Sequence, residues 1–505
     1  MRQSEKNSGI ITNLPTLDVL WSAGRNVRFK PGFVYKMPGR ELLATVPSNA
    51  PIRAMFTFLG HDRVLRTMVC CDTKVYSYTL DFTAYQDITP TSLVSSGSTD
   101  AWQFAMIGGM PVVTDGVNGI WQWSDYSSVL ASLEGSPYGA KCLTSVMGRL
   151  MLGDVQPGGS TVVSRIVWSK PFDPTKTALG RYGSGGQLDI SSPDTGVDAR
   201  EWIKAICVRG IEVFVFCDRK IWMLDSVPHP YYFKPRVFSE DTGILSRRGY
   251  CKANGSIYLI GSDDVYRIDD TVVPIGFPIR NSLFPNINKA AADKSFVFYQ
   301  PDTKDVFFCV PIESSSSPNT AFVYNIEAQN WTICDAAYTC HTHSWANSTT
   351  DMGDMAGSWD SLADKQWDDM SELGVIPYNV VGDDSGRIYK MDIGDHDNNQ
   401  AIVSRIETGD MVMEGERFFK LITRIYPSLK LQDQASALLI SVGSRKSLHH
   451  SIKWSSPVEY IHGVDEFVPI RALGKYIRIA FHSQQTDSRW ILDGYDFKHI
   501  LRGGD

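Results

Sequence analysis

The sequence predicts an all-β protein in which a propeller-like domain of about six to seven blades, with insertions, is followed by a C-terminal β-sandwich. Three observations support this prediction. Apolar and polar residues alternate with a period of two along much of the chain, and long stretches of helical periodicity are rare. Aromatic residues make up 11% of the 505 residues, and 41 Gly and 25 Pro supply turn formers. A pair of an apolar and an aromatic residue also recurs at blade-like intervals.

This recurring pair defines the predicted repeat. Successive pairs are 44 to 65 residues apart, and a four-stranded blade occupies about 45 residues. A charged residue, an apolar residue, an aromatic, any residue, an apolar residue and Asp follow one another in Lys220–Asp225, Asp264–Asp269 and Arg387–Asp392. Since one small sheet cannot bury both of its faces alone, we expect each aromatic to fill the seam between neighbouring blades. The candidate seam aromatics are Tyr76, Trp121, Trp168, Trp222, Tyr266, Tyr324 and Tyr389. A stack of β-meanders that does not close is the alternative.

Changes in the residue pattern along the chain predict three parts. Residues 1–45 form an N-terminal arm with one hairpin-like element, and residues 46–400 form the propeller-like domain. An acidic insertion at about 339–373 interrupts this domain. Evenly spaced strands over residues 401–505 predict a separate, platform-like β-sandwich. The arm is expected to join either this sandwich or an adjacent subunit.

The sequence motifs favour a protein that is not an enzyme. The sequence contains no phosphate-binding loop of the G-x-x-x-x-G-K-[ST] type, no G-x-S-x-G elbow and no H-E-x-x-H. The Cys340–His343 cluster lacks the second ligand pair that a zinc site needs. The acidic turn Asp392–Asp397 lacks the downstream Glu of a calcium loop, so a polar turn is expected. We therefore assign no catalytic residues, no cofactor and no metal.

Charge and cysteine usage restrict the function further. The formal net charge of −7 disfavours a strongly basic nucleic-acid binder. The nine Cys are odd in number and dispersed, which indicates reduced, buried thiols made in a cytoplasm. There is no run of 18 apolar residues to predict a membrane span, and the N-terminus lacks the pattern of a signal peptide.

The negative charge is concentrated in residues 301–400, which hold four Lys plus Arg against seventeen Asp plus Glu, a net charge of −13. Two readings of this segment remain open. It is either a solvated loop kept soluble by its charge, or an acidic wall that repels phosphate so that a DNA duplex slides past it. For the second reading, the candidate acidic cluster at a lumen or tip is Asp360, Asp364, Asp368 and Asp369.

Several stretches together resemble the tail nozzle proteins of short-tailed bacteriophages (podophages), a family also described as packaged-DNA stabilisation proteins. The resemblance spans roughly residues 25–395 and depends on the order and spacing of its parts. Those parts are Asn26–Phe29 with Lys36–Gly39, Trp102–Ala105, Gly108–Val113, Asp115–Asn118, Val167–Pro174, Glu240–Ile244 and Val323–Trp331.

The resemblance implies a structural virion protein that forms a homo-oligomeric ring, a hexamer in this family. Such a ring extends the portal and adaptor channel, retains the packaged genome and lets it pass on ejection. Its implied partners are the head-to-tail adaptor, tail fibres or spikes and, transiently and without sequence preference, the viral genome. The implied location is the virion tail, after synthesis in the host bacterial cytoplasm. A receptor- or glycan-binding β-propeller on the virion surface is the alternative function.

Overall fold

The computed structural model describes residues 9–12, 21–30, 32–93, 102–133, 138–157, 161–175, 185–190, 201–228, 231–346, 376–432, 438–486 and 488–502. The predicted fold class is confirmed, because the protein is all-β with small antiparallel sheets of the propeller-blade type and a C-terminal sandwich. Helix is limited in these residues to one short α-helix, α1 (Arg280–Leu283), and two 3-10 turns, Phe284–Asn286 and Ala292–Lys294. None of the helices so described has the length and apolarity required to cross a bilayer.

The N-terminal strands precede the repeated sheets. They are β1 (Trp21–Arg25), β2 (Val27–Lys30), β3 (Phe33–Lys36) and β4 (Arg40–Thr45).

Four sheets of four strands follow, each an antiparallel meander in which every strand pairs with the next along the chain. The first sheet comprises β5 (Ile52–Leu59), β6 (Leu65–Cys71), β7 (Val75–Tyr78) and β8 (Tyr85–Asp87). The second comprises β9 (Gln103–Ile107), β10 (Met110–Thr114), β11 (Ile120–Gln122) and β12 (Ala131–Ser132). The third comprises β13 (Tyr138–Val146), β14 (Arg149–Pro157), β15 (Val162–Trp168) and β16 (Gly186–Asp189). The fourth comprises β17 (Ile203–Arg209), β18 (Glu212–Cys217), β19 (Ile221–Ser226) and β20 (Phe233–Ser239).

Three more sheets continue the series. The fifth comprises β21 (Tyr250–Ala253), β22 (Ser256–Ile260), β23 (Val265–Ile268) and β24 (Val272–Pro274). The sixth comprises β25 (Phe296–Gln300), β26 (Asp305–Val310), β27 (Thr320–Asn325) and β28 (Asn330–Asp335). The seventh comprises β29 (Cys340–Ala346), β30 (Ile376–Gly382) and β31 (Arg387–Met391), and β4 pairs with β31 as its fourth strand.

The remaining strands follow the seventh sheet. They are β32 (His396–Asp397), β33 (Gln400–Ala401), β34 (Ser404–Thr408), β35 (Phe419–Gln432), β36 (Leu438–Arg445), β37 (Lys453–Trp454), β38 (Val458–Tyr460), β39 (Val468–Gly474), β40 (Tyr476–Ser483) and β41 (Trp490–Arg502).

The chain divides into two compact units. One comprises residues 1–41, 241–337 and 392–505, and we call it the platform unit. The other comprises residues 42–240 and 338–391, and we call it the five-sheet unit. Each unit is built from segments that are distant in sequence, so long-range pairing defines both of them.

In the five-sheet unit, the seventh sheet packs beside the first, although about 250 residues separate them in sequence. Their shared core contains Ile52 and Met55 from the first sheet and Cys340, Val380 and Ile388 from the seventh. Separate apolar cores join the first sheet to the second, the second to the third and the third to the fourth. Strand β4, which precedes the series, supplies a further strand of the seventh sheet.

In the platform unit, the fifth and sixth sheets share a core that contains Tyr258, Phe308, Tyr324 and Trp331. The sandwich of the same unit consists of two antiparallel sheets, ordered β1-β34-β40-β36-β37, with β38 also on β36, and β2-β3-β41-β35-β39. The N-terminal arm therefore contributes β1, β2 and β3 to the sandwich. Residues of the arm and of the C-terminal strands bury one common core, which includes Val27, Phe29, Ile422, Phe481 and Trp490.

Candidate functional site

The four predicted acidic residues lie outside the described part of the chain. Asp360, Asp364, Asp368 and Asp369 belong to the segment 347–375, which connects β29 to β30. Their orientation towards a lumen or a tip therefore stays a prediction.

The seven candidate seam aromatics occupy equivalent places. Each lies in the third strand of its sheet, and each side chain is buried, with at most 9% of its surface exposed. Five of them belong to cores that join two neighbouring sheets. These five are Tyr76, Trp121, Trp168, Trp222 and Tyr324. Trp168 and Trp222 share one core, between the third and fourth sheets.

The other two aromatics close a turn within their own sheet. The Tyr266 hydroxyl donates to Asp263 at 2.9 Å, and the Tyr389 hydroxyl donates to Asp383 at 3.3 Å. Both carboxylates lie in the turn between the second and third strands. A buried phenol needs a polar partner, and these turns provide one.

In several sheets, the turn that precedes the third strand has a local signature that the sequence analysis missed. Cys71–Tyr76 and Cys217–Trp222 share the pattern Cys-Asp-x-Lys-apolar-aromatic. In both turns the Cys amide donates to the Lys carbonyl three residues on, at 2.8 Å and 2.9 Å. The amide of Gly261 makes the same bond to Asp264, at 2.9 Å. The six-residue pattern, compared between repeats, would have revealed this turn.

A second form of the same turn uses an aspartate six residues before the aromatic. Asp115 accepts the amides of Val117 and Asn118 at 3.0 Å and 2.8 Å. Asp383 likewise accepts the amides of Ser385 and Arg387, both at 2.8 Å. Asp side chains that bind the backbone two to four residues ahead stabilise tight turns. These carboxylates therefore shape the blades.

The N-terminal arm is locked to the sixth sheet and the sandwich through Asn26. Its side-chain amide donates to Asp335 at 2.6 Å and to the carbonyl of Val403 at 2.8 Å, and its amide oxygen accepts the Asp335 backbone amide at 2.8 Å. Asn26 adopts the left-handed conformation, with φ of 56°. Asn tolerates this conformation better than most residues, so its identity fits both the backbone and the bonds.

A buried ion network lies next to this lock. Arg28 is 3% exposed; its guanidinium contacts Asp392 at 2.9 Å, Gln300 at 3.1 Å and Asp305 at 3.2 Å. Burial raises the pKa of the Asp305 carboxyl, and the neighbouring Arg28 charge opposes that shift. The network adjoins a cavity of about 350 Å³, to which Tyr35 and Lys304 also contribute. The two carboxylates share one cation, so the formal charges of the three groups sum to −1, and the contacts hold the arm against the sixth sheet.

The two motifs considered for metals have structural partners. Asp392 engages Arg28, and Asp397 forms an ion pair with Arg40. His341 Nε2 lies 3.1 Å from the side-chain oxygen of Asn379, and burial lowers the pKa of His341 to about 3. Within the described residues, no group of three or more His, Cys, Asp or Glu has a metal-binding arrangement.

The cysteines carry no disulfide. All nine are free, and eight of them are buried. Burial raises the pKa of the Cys71 and Cys334 thiols to about 12. A thiol with so high a pKa is almost fully protonated at neutral pH and is therefore a poor nucleophile.

The chain matches no family model and no curated protein. Among solved structures it is similar to YCF48 bound to D1 peptide, with a TM-score of 0.38 and 9% identity over 71% of this chain and 97% of that one. It is similar to YCF48 from Cyanidioschyzon merolae, with a TM-score of 0.39 and 10% identity over 70% and 98%. It also resembles the extracellular domain of the hybrid two component system BT4673 from B. thetaiotaomicron, with a TM-score of 0.36 and 12% identity over 60% of this chain. The chain spans 39% of that extracellular domain.

Proposed function

We propose that this chain is a structural protein of the virion, the tail nozzle of a short-tailed bacteriophage. In this role, copies of the chain form a ring that extends the portal and adaptor channel, retains the packaged DNA and lets it pass on ejection. The chain provides a passive wall in this proposal, with no reaction site.

The observation that carries the proposal is the place of the family-like stretches in the fold. They coincide with the contacts that fix its architecture. Asn26 and Arg28, in the first stretch, lock the arm to the sixth sheet and to the sandwich. Asp115, in the fourth stretch of the series, shapes the turn before the Trp121 strand.

The two longest family-like stretches, Val167–Pro174 and Val323–Trp331, also lie at contacts that fix the architecture. Ser169, in Val167–Pro174, is fully buried; its hydroxyl accepts the Leu150 amide at 2.9 Å, and its carbonyl accepts from Arg149 at 2.8 Å. In Val323–Trp331, the rings of Tyr324 and Trp331 lie 5.0 Å apart in the core of the fifth and sixth sheets. A resemblance concentrated at architectural contacts supports a shared scaffold, and a scaffold is what a conduit requires.

The ionic interactions support a rigid wall. Buried carboxylates in the platform unit are held by arginines: Asp305 by Arg28, and Asp410 by Arg445 and Arg478. Breaking such a pair leaves an uncompensated buried charge, so each pair resists local deformation. A conduit that opens under genome pressure needs walls of this kind.

The test is imaging of the purified full chain, alone and with its adaptor protein, by negative-stain electron microscopy. The proposal predicts ring-shaped particles with a central channel, formed at least when the adaptor is present. Monomers that persist with the adaptor at concentrations far above those in an infected cell would contradict it. The Arg28→Ala variant gives a structural comparison, because a loosened arm should reduce ring formation.

A further inference from the structure

A groove in the five-sheet unit lies between the outer part of the first sheet and the seventh sheet. We call it the Tyr85 groove. Strands β7 and β8 and the turn between them form one wall, and β29, β30 and β31 contribute to the other. Its volume is about 940 Å³, within the range of about 300–1,000 Å³ that is typical of ligand sites.

Aromatic rings line both walls. On one wall, 54% of the Tyr85 side chain is exposed, and its ring is held 5.6 Å from the ring of Tyr78. On the other wall lie Trp345 and Tyr378, both half-buried. The Tyr378 hydroxyl donates to the Leu80 carbonyl at 2.7 Å, which fixes that ring in place. Rigid, partly exposed rings provide flat apolar surfaces at little entropic cost, and the C–H face of a sugar ring packs on such surfaces.

Polar groups complete the lining. The turn between β7 and β8 presents Thr79, Asp81 and Thr83, and the Asp81 carboxylate accepts both hydroxyls at 2.6 Å and 2.8 Å. Phe82 stabilises this turn, since its ring is buried although its φ is 58°. The Tyr78 hydroxyl is buried in the wall and has no hydrogen-bond partner among the described residues. A buried hydroxyl without a partner is costly.

The charges of the groove favour a ligand with an acidic group. Arg63 and Lys390 line it, and neither forms an ion pair with a described residue. The Lys390 ammonium lies 4.6 Å from the centre of the Tyr378 ring, so it sits at the aromatic wall. Arg66 also lines the groove, but it is paired with Asp62 at 2.6 Å. The two unpaired cations can pair with a carboxylate on a ligand.

Asp81 distinguishes between two anionic ligands that could stack on the rings. A carboxylate on the groove wall repels the closely spaced phosphates of a nucleic acid. The same carboxylate accepts hydrogen bonds from hydroxyl groups, of which a saccharide has many. The lining therefore matches a hydroxyl-rich ring with an occasional acidic substituent better than a phosphate chain.

We propose that the Tyr85 groove binds an acidic oligosaccharide, with sugar rings packed on Tyr85 and Trp345 and an acidic group paired with Lys390 and Arg63. This inference goes beyond the conduit function and does not depend on it. It gives the chain a second role, the recognition of a uronic-acid-containing surface glycan.

The experiment measures binding of the full chain to oligogalacturonate and hyaluronan oligosaccharides by isothermal titration calorimetry. Neutral maltooligosaccharides and oligothymidylate serve as comparison ligands. We expect saturable binding of at least one acidic oligosaccharide, weaker binding of the neutral one and no competition from oligothymidylate. Absence of binding to both acidic ligands would overturn the proposal, and preferential binding of oligothymidylate would replace it with a nucleic-acid site.

Variants locate the site. Tyr85→Ala should raise the Kd at least about tenfold, because it removes the most exposed stacking surface. Lys390→Gln should weaken binding of the acidic ligand and leave that of any neutral ligand unchanged. The matched control is Tyr231→Ala in the same unit, a tyrosine that is 74% exposed and outside the groove. Equal affinities of the Tyr85 and Tyr231 variants would refute the assignment, and unchanged melting curves would show that both variants fold.

Discussion

Replacing Trp222 with Ala tests whether the repeated aromatics hold neighbouring sheets together. Trp222 is 6% exposed and lies in the core shared by the third and fourth sheets, with Cys142 and Ile166 on the other side. Its indole N–H has no hydrogen-bond partner among the described residues, so its contribution is apolar contact. A buried Trp replaced by Ala costs about 3–5 kcal/mol, and we expect this loss in the free energy of unfolding. Trp222→Phe keeps a ring and loses no hydrogen bond, so it should cost about 1–2 kcal/mol.

Thermal unfolding, followed by differential scanning calorimetry, measures the effect. For a cooperative unit of 150–250 residues, 1 kcal/mol corresponds to roughly 2–4 °C. The Ala variant should therefore melt roughly 6–20 °C below the unmodified chain, with the Phe variant in between. Tyr231→Ala removes an exposed ring of the same unit and should change the stability by at most about 0.5 kcal/mol. If the Trp222→Ala and Tyr231→Ala variants melt at the same temperature, the Trp222 ring does not hold the third and fourth sheets together.

Two further predictions concern the platform unit. Arg28→Ala removes the cation shared by the buried Asp305 and the partly exposed Asp392 and should cost about 3–5 kcal/mol in urea denaturation. Arg219→Ala, at a side chain that is 85% exposed, should cost almost nothing, and equal losses would show that the network is not needed. Burial lowers the pKa of His482 to about 4, so between pH of about 6.5 and 4 the unfolded chain binds more protons than the folded one and acid reduces stability. His482→Gln should remove about 2–3 kcal/mol of that acid-dependent loss, and parallel stability–pH curves for the variant and the unmodified chain would contradict this role.

The repeat could be predicted from sequence because its signal is local. An apolar–aromatic pair at the third strand needs only a few neighbouring residues to be recognised, and each of the seven pairs lies in a third strand. The described residues form seven such sheets, five in the five-sheet unit and two in the platform unit. The strand Tyr476–Ser483 likewise lies in the sandwich predicted for residues 401–505.

The long-range pairings could not be predicted in this way. Nothing near β4 shows that it completes the seventh sheet, whose other strands begin about 300 residues later. The partners of Asn26 and Arg28 lie more than 270 residues away in sequence. The Tyr85 groove was missed for the same reason, because Tyr85 and Trp345 meet only after the first and seventh sheets pack together.

The most direct test of the conduit uses phage particles assembled without this chain. We expect such particles to package DNA normally but then lose it. Adding the purified chain to the crude lysate should restore nuclease-resistant genome. The Arg28→Ala variant should restore less nuclease-resistant genome than the unmodified chain. Particles that keep their full genome without the chain, and fail only to attach to cells, would contradict the conduit and leave recognition of the host surface as the function.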